Sequence, residues 1–588
     1  MKKLCLLTFI IFYLQGYLLG VVHNPQIEDD IQQKQDDILK KIDYIESLRE
    51  FNISGRGILW SENFQGKGTV IDENKAVMES INKLSIDVDI KKQIFPKITV
   101  FGELRFYNDL SGFYGLGDSF EARTIYIESI MLDFIKIRVG DFYQKLTPLT
   151  FYADYNSMGM KDSIFNLMER KKLYDSFLLN KSWPLQGLQF SGDFSSSLYF
   201  NHLHFYGSIA RYKETEYNRF ISSGQFSIYK NNILKLFYTI INYYDVEETK
   251  VTNSVKPAFS DTVNSFKFEC YPIELITRRS KVIDKPGIKL SGEYAQSIFV
   301  PDINTDEKIS DYAFNIDLSV WLYKNMILFR YKDIGSEFYS PAAQSPSYFI
   351  KEINSDSLSY LSSQNLNFHF ADRTYNNQIK FYRNWYNPEL LTFPMYEATP
   401  NRKGITLSYL NKYFKLLTLK FKYDNYKEIR PMRTANKRNF TKLEIGIDFN
   451  LRTIDKFFPL LSINWQDEKE KRDDDKSTTT INESEDVHNN KVIISGNFTI
   501  TKNWEILGGW AVFKQNGYRW IDFNNTISPL DENINSSYEN SDINQTYILT
   551  GLKYNINKNS FIMLYYKFLS EKGKYSLNFI NLFASILF

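Results

Sequence analysis

The chain has 588 residues, which at roughly 150 per soluble domain would mean about four domains, but its composition argues against that partition. Aromatic residues make up 16% of it, while Gly (27) and Pro (16) fall below their usual shares, which excludes collagen-like and Gly/Pro-rich disordered classes. With 71 Lys and Arg against 69 Asp and Glu the net charge is only +2, and the absence of a sustained basic stripe excludes nucleic acid as a partner.

Hydrophobic residues account for 43% of the chain, too many for a disordered protein. The mean hydropathy of −0.36 is nevertheless too polar for a helical membrane protein. Many aromatics without long apolar runs suit strands that are half apolar and half polar. Of the two cysteines, Cys5 falls in the leader, so the mature chain keeps Cys270 alone and forms no internal disulfide.

Lys2 and Lys3 precede an apolar run over residues 4–14 that only Thr8 interrupts. A basic start and an apolar stretch of this length read as an export signal over residues 1–22, with an uncleaved anchor as the alternative. Asn24-Pro25 then supplies an N-cap and a proline at the first helical position, with Glu28, Asp29 and Asp30 in the first turn, where they complement the helix dipole. Ile31, Ile38 and Ile45 recur every seven residues. Residues 23–50 therefore suit either a single amphipathic helix or a short trimeric coiled coil, which would make the protein a homotrimer. Residues 51–83 read as a linker or first strand.

From about residue 84 the period changes to two. Val100, Gly102, Leu104 and Phe106 alternate with Thr99, Phe101, Glu103 and Arg105; Leu443, Ile445, Ile447 and Phe449 alternate with Lys442, Glu444, Gly446 and Asp448. Successive side chains of a strand face opposite ways, so each such segment has one apolar and one polar face. The predicted connections alternate in length. Short ones fall at 230–232, 323–325, 411–414, 501–503 and 555–559, and long polar ones at 333–363, 387–401, 424–437, 466–490 and 515–544.

Residues 161–181 stand apart within a long connection at 144–183. Ile164, Leu167, Met168, Leu173 and Phe177 approximate a helical stripe, and Lys161, Arg170, Lys171 and Lys172 supply positive charge. His202 and His204 share one strand face but lack the third and fourth ligands that a transition metal needs. The acids at 466–490, among them Asp467, Glu468 and Glu470, read as a solvated surface loop rather than a calcium site, because the glycine-centred loop pattern is missing. No GxSxG, HExxH, P-loop or GxGxxG motif is present. The expectation is no enzyme, no cofactor and no metal.

At the C-terminus Ile580, Leu582, Ala584, Ile586 and Phe588 alternate with the residues between them, and Phe588 is the last residue. This resembles the terminal strand of bacterial outer-membrane β-barrels of the porin-like kind, where it serves as the assembly signal read by the barrel-assembly machinery. Together with the loop asymmetry, the resemblance implies an all-β fold over residues 84–588. The expected fold is a closed antiparallel transmembrane barrel of about 22–24 strands, within a range of roughly 16 to 26, preceded by the short N-terminal helix. The implied location is the bacterial outer membrane, with its lipid as partner and residues 23–50 in the periplasm. The implied function is passive diffusion of small solutes through a polar lumen, with Lys161, Arg170, Lys171 and Lys172 either at a constriction or on a helix lying on the rim. The alternative is a structural or adhesive barrel whose lumen is closed and whose long loops bind a partner. Unplugged, a barrel of that size would leak, so inserted loops are expected to occupy its lumen.

Overall fold

The computed structural model describes residues 52–68, 77–95, 97–109, 119–142, 144–151, 185–195, 200–212, 218–230, 233–246, 258–272, 287–305, 307–322, 324–340, 343, 347–349, 367–369, 398, 400–414, 416–430, 436–473, 485–522, 536–540, 543–571 and 575–588. Within them each barrel strand pairs antiparallel with its neighbours in sequence, and the first, Asn52–Gly68, pairs with the last, Tyr575–Leu587, from Arg56↔Leu587 to Gly68↔Tyr575. Twenty-two strands close this ring. The sheet counts 23 because the short Ser536–Asn540 pairs with the far end of Trp504–Asp522, beyond the reach of Ile543–Asn555. Closure leaves no sheet edge, the condition for strands to cross a lipid bilayer.

Burial along the strands is inverted relative to a soluble protein. In Leu460–Arg472 the apolar Leu461 and Ile463 are 39% and 38% exposed, whereas Gln466, Glu468, Glu470 and Arg472 are each no more than 6% exposed. The same outward exposure of apolar residues recurs around the ring, at Ile209, Phe226, Phe266, Tyr294, Ile494, Trp510 and Ile580. Apolar side chains therefore form an outer belt, and the buried charged and hydroxyl side chains face the lumen, the arrangement of a barrel in lipid. The connections 231–233, 323–324, 415–416 and 556–560 lie with Asn52 and Phe588 at one end, which also carries the longer 271–286. The longest, 143–184 and 335–401, leave the strands at the other, where the short 572–574 also turns.

Three sequence expectations are corrected. The expected loop 466–490 is mostly strand, because Leu460–Arg472 and Glu485–Thr499 pair from Leu460↔Asn497 to Arg472↔Glu485 and leave only 473–484 as connection. Its run Asp467-Glu468-Lys469-Glu470-Lys471-Arg472 keeps a period of two, but in charge position rather than hydropathy, which conceals a strand rising above the apolar belt. The separate connections 333–363 and 387–401 are one, since Asn325–Ile334 pairs directly with Arg402–Phe414 and leaves no place in the ring between them. The turn expected at 411–414 is the end of a strand, and the chain reverses at 415–416 after a register shift between Asn411 and Phe414. The 51–83 segment contributes the whole of Asn52–Gly68 and the beginning of Val77–Phe95. The N-terminal helix and the leader lie outside the described residues.

Candidate functional site: the lumen wall

The lumen is built by the inward half of each strand and by two connections that fold back into it. The first begins at Gly140, whose φ of +118° suits glycine and whose neighbour Asp141 accepts the Ile125 N–H at 2.9 Å, ending the pairing there. A Cβ at Gly140 would stand 2.2 Å from the Ile125 carbonyl oxygen, so no other residue fits. The chain then turns inward through Phe142, and residues 144–151 lie against the wall. Gln144 donates to Ser223 Oγ at 2.8 Å and accepts from Tyr206 at 3.0 Å and Ser208 at 2.9 Å. Farther along, Glu293 accepts from three groups at one oxygen: the Thr147 hydroxyl, Ser265 Oγ at 2.7 Å and the Leu149 N–H at 3.3 Å. A buried carboxylate supplied with donors in this way is a strong anchor, because each donor would otherwise be left unpaired away from water.

The second connection, 335–343, packs beside the first. Ser340 donates to the Thr150 carbonyl at 2.9 Å, and Ser297 accepts the Tyr339 N–H at 3.1 Å. Leu149, Phe338 and Ala343 bury themselves with Val263, Ala295, Ala313 and Ile334 in one apolar cluster. Phe142, Phe151 and Leu185 join Ala210, Ile221, Ile241 and Tyr243 in another. The wall carries small inward residues where the chain crosses it (Ala210, Ser223, Ser265, Ala295, Ala313), which makes room for a second layer.

On the other side the wall is charged. Lys442 bridges Glu444 at 2.6 Å and Glu468 at 3.1 Å; Lys420 holds Asp448 at 2.5 Å and Lys422 holds Asp424 at 2.8 Å. At the long-connection end Arg438 links Glu428 at 3.1 Å with Glu470 at 3.2 Å, and Arg402 stacks on the Phe440 ring at 4.0 Å. Nearer the short end Glu269 is shared by Lys267 at 2.8 Å and Lys289 at 3.1 Å, and accepts from the Tyr271 hydroxyl at 3.4 Å. Arg105 forks onto Asp87, with one contact at 2.6 Å, and Thr124 donates to Glu103 at 3.0 Å. Each of these cations faces an acid, so this part of the wall offers fixed dipoles of both signs.

Sequence reasoning placed Glu103, Arg105, Lys442 and Glu444 on the inner face, and they are there. It did not find Gln144 or Glu293; the small residues on the facing strands were the available signal. His202 and His204 lie on the inner face near the short end, with His204 Nδ1 2.7 Å from Asp193, and no cluster of three metal-ligating side chains exists among the described residues. Lys161, Arg170, Lys171 and Lys172 lie outside the described residues. In the terminal strand Ile580, Ile586 and Phe588 are exposed outward, and Leu582 and Ala584 occupy the same face between inward Asn581, Phe583 and Ser585.

Neither a family model nor a curated protein matches this chain. Among solved structures, Pseudomonas aeruginosa OpdO aligns over 91% of this chain and 97% of its own at 7% identity, with a TM-score of 0.32. OccK2 (OpdF) of the same organism, solved with glucuronate, aligns over 76% and 99% at 9% identity, with a TM-score of 0.37. A loop-deleted form of OmpT, an outer membrane protein of Vibrio cholerae, aligns over 92% and 99% at 9% identity, with a TM-score of 0.25. The chain is a transmembrane-type β-barrel. That statement rests on its own closed sheet and inverted burial.

Proposed function

We propose that this protein is an outer-membrane channel through which small polar solutes diffuse passively, without chemistry. One observation carries the reading: a ring of 22 strands separates an exposed apolar belt from an inner face that carries paired charges and hydroxyls over much of its circumference. An inner face of that kind replaces part of a solute's hydration, and the inward-folded residues 144–151 narrow the passage on one side. Because acids and bases alternate along the wall, weak selectivity between small anions and cations is expected. Residues 1–22 serve as the export signal of a Gram-negative bacterium, and the terminal strand ending at Phe588 serves as the assembly signal.

The second reading, a structural barrel with a closed lumen, draws support from the apolar packing of 144–151 and 335–343 against the wall, which fills part of the interior. Conductance of the purified protein in planar bilayers separates the two: stepwise currents support the channel, and silence from a correctly folded barrel supports the closed form.

A further inference from the structure

The outer face of the barrel is not uniform at the end that carries the long connections. Around most of the ring the outward residues at that level are apolar or uncharged, such as Phe220, Tyr244, Gln296 and Ser310. Across Arg402–Phe414, Leu417–Lys427, Asn439–Asn450, Leu460–Arg472, Glu485–Thr499 and Trp504–Asp522 they include five lysines, Lys403, Lys427, Lys469, Lys471 and Lys514, beside Asp467 and Asp486. Cross-strand register sets Lys403 opposite Lys427, Lys427 opposite Asn439, and Asn439 opposite Lys471. One step lower Thr441 faces Lys469, and Lys469 faces His488; below that Asn490 faces Lys514. These side chains point outward because their neighbours Tyr426, Glu428, Glu468, Glu470, Phe513 and Gln515 are buried on the inner face.

Three of the acids at this level are engaged with particular partners, and a fourth, Asp486, stands opposite Lys471. Asp333 holds Lys403 at 2.7 Å, Asp473 holds Lys471 at 3.0 Å, and Asp467 faces His488 at 2.5 Å. Asp486 is exposed. Lys427, Lys469 and Lys514 are exposed and have no ion-pair partner among the described residues. Directly below them the same strands present Leu407, Ile445, Leu461, Ile463, Ile494, Ile506 and Trp510 to the outside.

We propose that this sector is a docking surface for a phosphorylated lipid of the surrounding leaflet. An apolar band with cations at its upper border matches one kind of molecule, with acyl chains below and anionic phosphate above. Lys427, Lys469 and Lys514 stand on alternate strands, about 10 Å apart laterally at about 4.8 Å per strand, a spacing that suits a headgroup carrying more than one phosphate. Lysines at a membrane surface attract anionic headgroups by about 1 kcal/mol each, so the three act together. The proposal rests on the membrane reading above, with the long connections on the outer side.

The test uses the full chain in detergent micelles doped with phosphatidic acid, or with phosphatidylcholine of the same acyl chains, and counts retained lipid by native mass spectrometry. The wild type should retain phosphatidic acid preferentially. The variant Lys427→Gln/Lys469→Gln/Lys514→Gln should weaken that retention by on the order of tenfold or more. The variant Lys324→Gln/Lys456→Gln/Lys558→Gln, at the opposite end, should retain it as the wild type does, and excess inorganic phosphate should not displace the lipid. Equal retention of both lipids, equal loss in both variants, or displacement by inorganic phosphate would each overturn the proposal. Heat-modifiable migration of every variant is checked in parallel, so that collapse of the barrel reads as failure of the membrane reading rather than of the lipid site.

Discussion

Gly55 and Phe588 close the barrel seam by exchanging both backbone hydrogen bonds, Gly55 N–H to the Phe588 carbonyl at 2.8 Å and Phe588 N–H to the Gly55 carbonyl at 3.0 Å. The Phe588 ring lies over the glycine: a Cβ there would stand 2.5 Å from the ring and 2.6 Å from the Asp87 carbonyl oxygen. The ring can move, but the strand carrying Asp87 cannot without disturbing the ladder. Gly55→Val should therefore destabilise the seam by about 1–3 kcal/mol. Phe588→Asp should impair assembly far more than Asp473→Asn in an exposed connection. Yield of heat-modifiable protein in the outer-membrane fraction measures both, and equal yields for the Phe588 and Asp473 variants would remove Phe588 from assembly.

The anchor of residues 144–151 gives a second expectation. Glu293→Ala leaves Thr147, Ser265 and the Leu149 N–H without their acceptor inside the lumen, at about 1–3 kcal/mol for each donor left buried and unpaired. The barrel strands keep their own ladder, so the loss should appear as release of the segment rather than as unfolding. Protease sensitivity near residue 149, with heat-modifiable migration retained, is the expected result.

Glu428 anchors a buried ion pair at the long-connection end. It accepts the Arg438 backbone N–H at 3.0 Å while its side chain meets the Arg438 guanidinium at 3.1 Å, and Arg402 lies 3.9 Å away. Removing one partner of a buried ion pair leaves an uncompensated charge, which costs about 3–5 kcal/mol. Glu428→Ala should lower the thermal midpoint of the barrel well below that of Glu337→Ala, whose pair with Arg430 is exposed.

The contrast between these sites shows what the sequence disclosed. Strands such as Asn439–Asn450 were legible because Leu443, Ile445 and Ile447 alternate with polar residues, and a belt in lipid demands that pattern. Residues 466–472 were misread because above the belt both faces are charged, so the period of two survives without any change in hydropathy. Residues 144–151 carry no periodicity and include Pro148; their place was encoded in Ala210, Ser223, Ser265, Ala295 and Ala313 on other strands. Register had to be known before those small residues formed one patch.

The basic segment of the same connection yields a fourth expectation. If Arg170, Lys171 and Lys172 sit at a constriction, neutralising all three should shift ion selectivity towards cations, because a cationic ring repels them. Deleting residues 161–181 should raise single-channel conductance. Unchanged conductance would remove the segment from the passage.

The channel itself is tested most directly by single-channel recording of the purified, heat-modifiable protein in planar bilayers. The account predicts discrete, ohmic current steps with weak preference between small anions and cations, larger after residues 144–151 are released by Glu293→Ala. Bilayers that stay silent with a correctly folded barrel, in both the wild type and that variant, would contradict it.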